Sequence, residues 1–279
     1  MKNPSDITVL EINDLSYIDF IALIRETNRC PGGKDTIRRV VQNSFITRGS
    51  RVLEVGSNTG FTSLEVAHLV KCRVDGIDIS ENCVLEAKNK LRGDTREIKK
   101  LVNFQVGSAY EIPFDNDTFD LLIGGGATSF MDKKSKAVSE YVRVVKPWGF
   151  ISVTQLFYVK NPPTKVVDAV SEAIGVKINP WGKDKWLSIF TKQTNKLEKY
   201  YFYEGSLTHR KPESVDEYVD HFLSKPHIQE LKTGVQEAIR KKWKGYLEVF
   251  NENQKYLGYF TVLFRETGCD EEPELFIRK

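Results

Sequence analysis

The sequence predicts an α/β protein, a doubly wound fold with a mostly parallel sheet covered by helices on both faces. Three observations carry this. Short apolar runs alternate with helix-like segments through the middle of the chain. The first run, Val52 to Val55, leads into a turn holding Gly56 and Gly60, and then into a helical pattern with Phe61, Leu64, Ala67 and Leu69 apolar. The second run, Arg73 to Ser80, carries Asp78 at its end, roughly 20 residues beyond the turn, where a carboxylate holds a ribose diol in nucleotide-binding sheets.

The turn suits a ligand for a physical reason. A residue without Cβ lets the backbone pass close to a bound group. The helix beyond Gly60 points its free N–H groups into the same crevice.

In chain order, a helix is expected over Leu15 to Arg25, with Tyr17, Phe20, Ile21, Leu23 and Ile24 as its apolar stripe. A polar knot follows, from Arg25 to Gly33, and then a helix over about Lys34 to Phe45. After the glycine turn and its helix come the second strand, a helix over Asn82 to Leu91, and a third strand over Val102 to Val106. Phe119 to Ile123 is a fourth strand, closed by Gly124-Gly-Gly126. A helix over Lys134 to Val145 stops at Pro147-Trp-Gly149, before a fifth strand over Phe150 to Phe157. Beyond it, Val166 to Ile174 and Lys185 to Thr191 read as helices and Tyr200 to Tyr203 as a sixth strand. Val215 to Leu223 and Ile228 to about Phe250 are again helical, and Leu257 to Phe264 is the last strand.

Bulk properties narrow the class. At 279 residues the chain can bury one large core, or one core with a cap. Hydrophobic residues at 40% and charged residues at 28% describe an ordinary globular protein. A net charge of +3 argues against a dedicated nucleic-acid binder. No apolar run approaches the roughly 18 residues of a membrane span, and Met1 to Asp6 carry no signal-peptide pattern. Cys30, Cys72, Cys83 and Cys269 have neither metal-ligand spacing nor an evident disulfide framework. A cytoplasmic, metal-free protein is expected.

Four motifs in order carry a resemblance: Val-Leu-Glu-Val-Gly-x-x-x-Gly, Asp-Ile-Ser, Gly-Ser-Ala-Tyr-Glu-Ile-Pro-Phe-Asp-x-x-x-Phe-Asp, and Val-Lys-Pro-Trp-Gly. Together they resemble class I S-adenosylmethionine-dependent methyltransferases, in the branch that includes quinone-biosynthesis and other small-molecule enzymes. The likeness runs from about Pro31 to Phe157. It implies a seven-stranded Rossmann-like sheet with the last strand antiparallel beside the sixth. A helical insertion of about 50 residues then separates the last two strands, and with the N-terminal helices it forms a lid over the methyl acceptor. The expected divisions are 1–48 as a helical cap, 49–211 as the cofactor-binding core, 212–256 as the lid, and 257–279 as the last strand and tail.

The resemblance also assigns residues. Glu54 lies beneath the methionine amino group of the cofactor S-adenosylmethionine. Gly56, Ser57, Asn58 and Gly60 wrap its methionine and ribose parts, and Asp78 binds the ribose hydroxyls. Ile79 lies on one face of adenine, Ser108 and Ala109 read its edge, and Gly124 places a carbonyl near the reactive end. Gly32 and Gly33 offer N–H groups to the cofactor carboxylate, while Glu26, Asn28 and Arg29 meet the acceptor. Two residues depart from the family pattern. Asn58 stands where glycine is usual, and asparagine tolerates left-handed dihedrals. Ser108 stands where the family has Asp.

No side chain announces itself as a general base. His209, His221 and His227 are candidates, each more simply read as surface or capping residues. The run Lys241-Lys-Trp-Lys244 after Arg240 is either an RNA grip or a solvated helix face. Asn161-Pro-Pro-Thr164 has the look of an amino-methylation signature, but it follows the wrong strand. A small-molecule acceptor is therefore expected. A protein or RNA acceptor, and a silent cofactor-binding module, stand as the alternatives.

Overall fold

The computed structural model describes residues 7–192, 194, 196–208 and 210–267. His209 and Cys269 lie outside them, as does the tail beyond residue 267. The seven strands are β1 (Arg51–Val55), β2 (Arg73–Asp78), β3 (Val102–Val106), β4 (Phe119–Ile123), β5 (Val145–Tyr158), β6 (Leu197–Ser206) and β7 (Leu257–Glu266). They form one sheet in the order β3-β2-β1-β4-β5-β7-β6. The first five run parallel, and β7 is antiparallel to both β5 and β6 between which it lies. The order reverses direction at β1 and β4, which opens a crevice at their carboxyl ends.

Alternation along the central strands feeds two cores. Val52, Leu121, Phe150 and Leu263 pack on one face with Val66, Ala67 and Phe104. Leu53, Leu122, Ile151 and Val262 pack on the other with Tyr141, Trp186 and Phe190. Because both faces are covered, β7 reads as an almost unbroken apolar run rather than an alternating one.

The helices between strands are α4 (Phe61–Val70), α5 (Glu81–Arg92), α6 (Arg96–Leu101), α7 (Lys134–Val144), α8 (Thr164–Ile174) and α9 (Lys183–Thr191). Ahead of β1 lie α1 (Val9–Asp14), α2 (Tyr17–Leu23) and α3 (Gly33–Asn43). Between β6 and β7 lie α10 (Pro212–Leu223), α11 (Pro226–Gln229) and α12 (Thr233–Gln254). A third core joins these two distant sets: Ile12, Phe20, Ile21 and Ile24 pack against Val219, Phe222, Ile239 and Trp243.

Several elements differ from the sequence expectation. The single helix expected over Leu15 to Arg25 is α2 alone, preceded by a separate α1. Each has its own start signal: Thr8 and Glu11 form a capping box on α1, and Ser16 accepts from the Asp19 amide on α2. The helix expected from Ile228 to Phe250 is broken between Gln229 and Thr233 into α11 and α12. Thr95 caps an additional helix, α6, by accepting from the Ile98 amide at 3.3 Å. The Pro147-Trp-Gly149 signal falls inside β5, where the pairing with β4 slips and Trp148 takes φ 67°.

Candidate functional site

The glycine turn is built from left-handed residues. Gly56, Asn58 and Gly60 have φ of 76°, 46° and 86°. A Cβ on Gly56 would sit 2.3 Å from the Ala127 methyl, and one on Gly60 would sit 2.7 Å from the Phe104 ring. Neither position admits a side chain. Asn58 takes the left-handed conformation as expected, with its Oδ1 accepting from the Thr59 amide at 2.8 Å.

Two carboxylates face the crevice around this turn. Glu54 reaches from β1 to the first turn of α4, where Oε2 accepts from the Ser63 amide at 2.9 Å and the Ser63 hydroxyl at 2.5 Å. It is buried, and loss of solvent pushes its pKa up to about 7, with the Asp78 charge adding to the rise. Asp78, at the end of β2, accepts from the Asn58 amide (2.8 Å) and the Ser80 amide (2.9 Å). Burial raises its pKa, and these amide bonds oppose the rise.

Glu54, Gly56, Ser57, Asn58 and Asp78 line one cavity of about 550 Å³, and Asn28 and Arg29 line it too. The Arg29 guanidinium lies 5.3 Å from the centre of the Phe61 ring. The other predicted residues fall elsewhere. Gly60 lies beneath the turn, against Phe104. Ile79 is 69% exposed and is not part of the wall. Ser108 and Ala109 are off the cavity, and the Ser108 hydroxyl accepts from the Tyr110 amide at 3.1 Å. The Gly124 carbonyl accepts from Thr128 Oγ1 at 2.8 Å, while Gly125, Gly126 and Ala127 form the wall instead.

The junction before α3 departs furthest from expectation. The Gly33 amide donates to the Cys30 carbonyl at 2.8 Å, so it has no N–H to offer a ligand. Gly32 backs onto Thr36 and Tyr259 and is outside the wall. Glu26 is also outside it: one carboxylate oxygen accepts from the Tyr218 hydroxyl at 2.8 Å and the other from the Asn28 amide. Its carbonyl accepts from Thr59 Oγ1 at 2.7 Å. This residue ties structure together and does not face the cavity.

Wall residues that the sequence reading passed over include Thr62, Lys134, Ser152 and Gln155. Among the described residues, no histidine lines the cavity. His227 has its Nε2 3.1 Å from the Leu23 carbonyl, and burial lowers its pKa to about 4. His221 is exposed, its ring edge-on to Phe222. The basic run of α12 is occupied as well. Trp243 is buried in the third core, and Lys242 donates to the carbonyls of Ile12, Asn13 and Leu15. Arg240 and Lys244 pair with Asp220 and Asp216. Among the described residues, no cluster of His, Cys, Asp and Glu fits a metal ion, and no helix is long and apolar enough to cross a membrane.

The buried atoms fit a nucleoside bearing a cationic amino-acid tail. Among the described residues, Glu54 is an acidic group with no basic partner, and Ser57 Oγ is buried without a hydrogen bond in the same wall. A bound ammonium satisfies the first, and a polar atom of the same tail satisfies the second. Asp78 retains lone pairs for a diol.

Fold and site together define a nucleotide-binding α/β protein. Residues 53–153 match the family described as a methyltransferase domain. Over that part of its length the chain is similar to S-adenosylmethionine-dependent methyltransferases of class I, a resemblance that implies S-adenosylmethionine as the cofactor. An uncharacterized protein of Haemophilus influenzae is 25% identical over 88% of this chain and 95% of its own length. The ubiquinone/menaquinone biosynthesis C-methyltransferase UbiE of Geobacter sulfurreducens is 33% identical, over 37% of this chain and only 40% of its own length. The solved structure of MccD superposes with a TM-score of 0.72 at 21% identity, covering 86% of this chain and 99% of that one, which shows the shared fold. Solved neighbours include complexes with S-adenosylmethionine and with S-adenosylhomocysteine.

Proposed function

We propose that the protein transfers the methyl group of S-adenosylmethionine to a small-molecule acceptor enclosed between the carboxyl ends of β4 and β5 and the helices of residues 212–256. One observation carries this reading. The cavity that begins at Glu54 and Asp78 continues, without a break, to apolar walls supplied by α8, α9, α12 and β7 through Val170, Trp186, Phe250 and Leu257. Such a partly enclosed, mostly apolar chamber suits a compact ligand more than a polymer.

In this reading Glu54 and Ser57 hold the amino-acid end of the cofactor, the turn from Gly56 to Asn58 wraps it, and Asp78 binds the ribose hydroxyls. When bound, S-adenosylmethionine would supply a sulfonium methyl: the acceptor atom bonds to its carbon as the carbon–sulfur bond breaks and S-adenosylhomocysteine leaves. The chain contributes position and dryness: charge is neutralised in such a step, so aligning the reactants and excluding water matter most. The described residues 7–48 and 212–256 act as cap and lid over the core formed by β1 to β7 and the helices between β1 and β6. The presence of UbiE among the relatives supports a small acceptor, because its name gives it a role in ubiquinone and menaquinone biosynthesis. Protein or RNA as acceptor has less support, since Lys242 and Trp243 of α12 are held in internal contacts and Arg240 and Lys244 are paired with Asp220 and Asp216.

The deciding experiment is incubation with methyl-labelled cofactor and a metabolite extract, followed by mass spectrometry. A labelled small molecule is expected. Label found only on protein or RNA, or on nothing while S-adenosylhomocysteine still binds, sinks the reading.

A further inference from the structure

Gln155, near the carboxyl end of β5, is 2% exposed and lines the cavity. The orientation of its amide is fixed by its neighbours. Nε2 donates to the Leu156 carbonyl at 3.0 Å and to Ser129 Oγ at 2.5 Å. Turning the amide over would set its oxygen against the Leu156 carbonyl oxygen. Oε1 is therefore the free end, and it is buried with no hydrogen-bond partner among the described residues. A buried amide oxygen without a hydrogen bond is costly, and a ligand donor removes that cost.

The surroundings narrow the ligand. Ser152 Oγ, on the same strand and the same cavity, is a second buried atom without a partner. A hydroxyl can both donate and accept, whereas an amide oxygen only accepts. Among the described residues, the only carboxylates lining the cavity are Glu54 and Asp78, near the ends of β1 and β2. The charged residue on the β5 side is Lys134, whose ammonium donates to the Met131 carbonyl and lies 5.7 Å from the Trp186 ring. A cationic acceptor would meet an ammonium there and no anion. Val170, Ile174, Phe250 and Leu257 offer only apolar contact.

We propose that the acceptor is an uncharged, mainly apolar molecule carrying a hydroxyl group, and that this hydroxyl donates to Gln155 Oε1. The inference rests on the proposed methyl-transfer reading and adds the acceptor's chemistry to it. Gln155 is then the residue that selects for the hydroxyl.

The test measures binding to the full chain saturated with S-adenosylhomocysteine, by calorimetry or ligand-observed NMR. The probes are 4-propylphenol, its methyl ether 4-propylanisole, and the cation 4-propylbenzylammonium. The phenol should bind at least about fivefold tighter than the ether, in line with one hydrogen bond gained, and the ammonium more weakly than either. In Gln155→Met the preference for phenol over ether should fall below about twofold, while S-adenosylhomocysteine still binds. If that variant fails to fold, Gln155→Asn withdraws the oxygen by one methylene and should reduce the preference in the same direction. Equal binding of phenol and ether to the wild type overturns the proposal. So does a preference that survives both substitutions, tighter binding of the ammonium, or no binding of any probe to the saturated protein. Failure to bind S-adenosylhomocysteine at all is a different result, and it overturns the cofactor site on which the proposal stands.

Discussion

The hydroxyl of Tyr218 in α10 donates to Glu26 Oε1 at 2.8 Å across 192 residues of sequence. Glu26 in turn receives Thr59 Oγ1 on its carbonyl, at 2.7 Å, from inside the glycine turn. Lys90 Nζ bridges the same carbonyl (3.3 Å) and Thr59 Oγ1 (2.8 Å). One residue thus links the helices over the cavity to the loop that shapes its floor. Tyr218→Phe removes the hydroxyl at nearly constant volume. We expect it to destabilise the chain by about 1.5–3 kcal/mol, the range for a hydrogen bond to a charged group, and to speed hydrogen exchange in α10. Unchanged thermal midpoint and unchanged exchange would show that the contact carries no weight.

Asp78 gives a second prediction. Its two oxygens are already aligned by the Asn58 and Ser80 amides. Asp78→Ala should weaken S-adenosylhomocysteine by about 1.5–3 kcal/mol, as for lost hydrogen bonds to a charged group. Calorimetry with full affinity retained would remove Asp78 from the site.

Glu54 predicts a pH dependence. Its pKa stands at about 7 against an ordinary 4.5, so between those values the folded chain binds more protons than the unfolded one. The ligand-free protein should accordingly lose stability as pH rises from about 4.5 to 7. Ligand binding runs the other way. An ammonium prefers the ionised carboxylate, so affinity for S-adenosylhomocysteine should rise by up to about tenfold per pH unit below 7 and then level off. Glu54→Gln should flatten both profiles, and a slope that persists in that variant assigns the titration to another group.

The helices of residues 212–254 and the N-terminal α1 and α2 share one core, apart from the sheet. As a lid they should open more readily than the sheet and become protected when S-adenosylhomocysteine and an acceptor are bound together. Hydrogen exchange of the two segments should change in parallel. Protection that stays equal with and without ligands would make them fixed structure.

The sheet and the glycine turn beside Asp78 were legible because local chemistry dictates them. Gly56 and Gly60 occupy positions where any Cβ collides, and Asp78 ends a strand next to that turn. Other wall residues were not legible. Gln155 looks like any polar residue of a buried strand until Ser129 and Leu156 fix its amide and leave its oxygen without a partner among the described residues. Glu26 and Gly33 sit in a polar junction that suggested ligand contact, yet their groups are taken by Tyr218 and Cys30, partners the sequence does not name. Trp243 lies in a basic run that suggested a nucleic-acid face, but its ring belongs to the core shared with Phe20 and Ile24.

That shared core has a consequence for synthesis. Phe20, Ile21 and Ile24 leave the ribosome early, but the residues that cover them, Val219 to Trp243, follow about 200 positions later. At roughly 5–20 residues per second the early helices wait on the order of ten to forty seconds with their apolar faces uncovered. β1 to β5 can pair during that interval, so the nucleotide crevice is assembled before the chamber above it. The nascent chain is most exposed to aggregation, and most suited to chaperone capture, at its first two helices. A truncation before α10 would prolong that exposed state indefinitely.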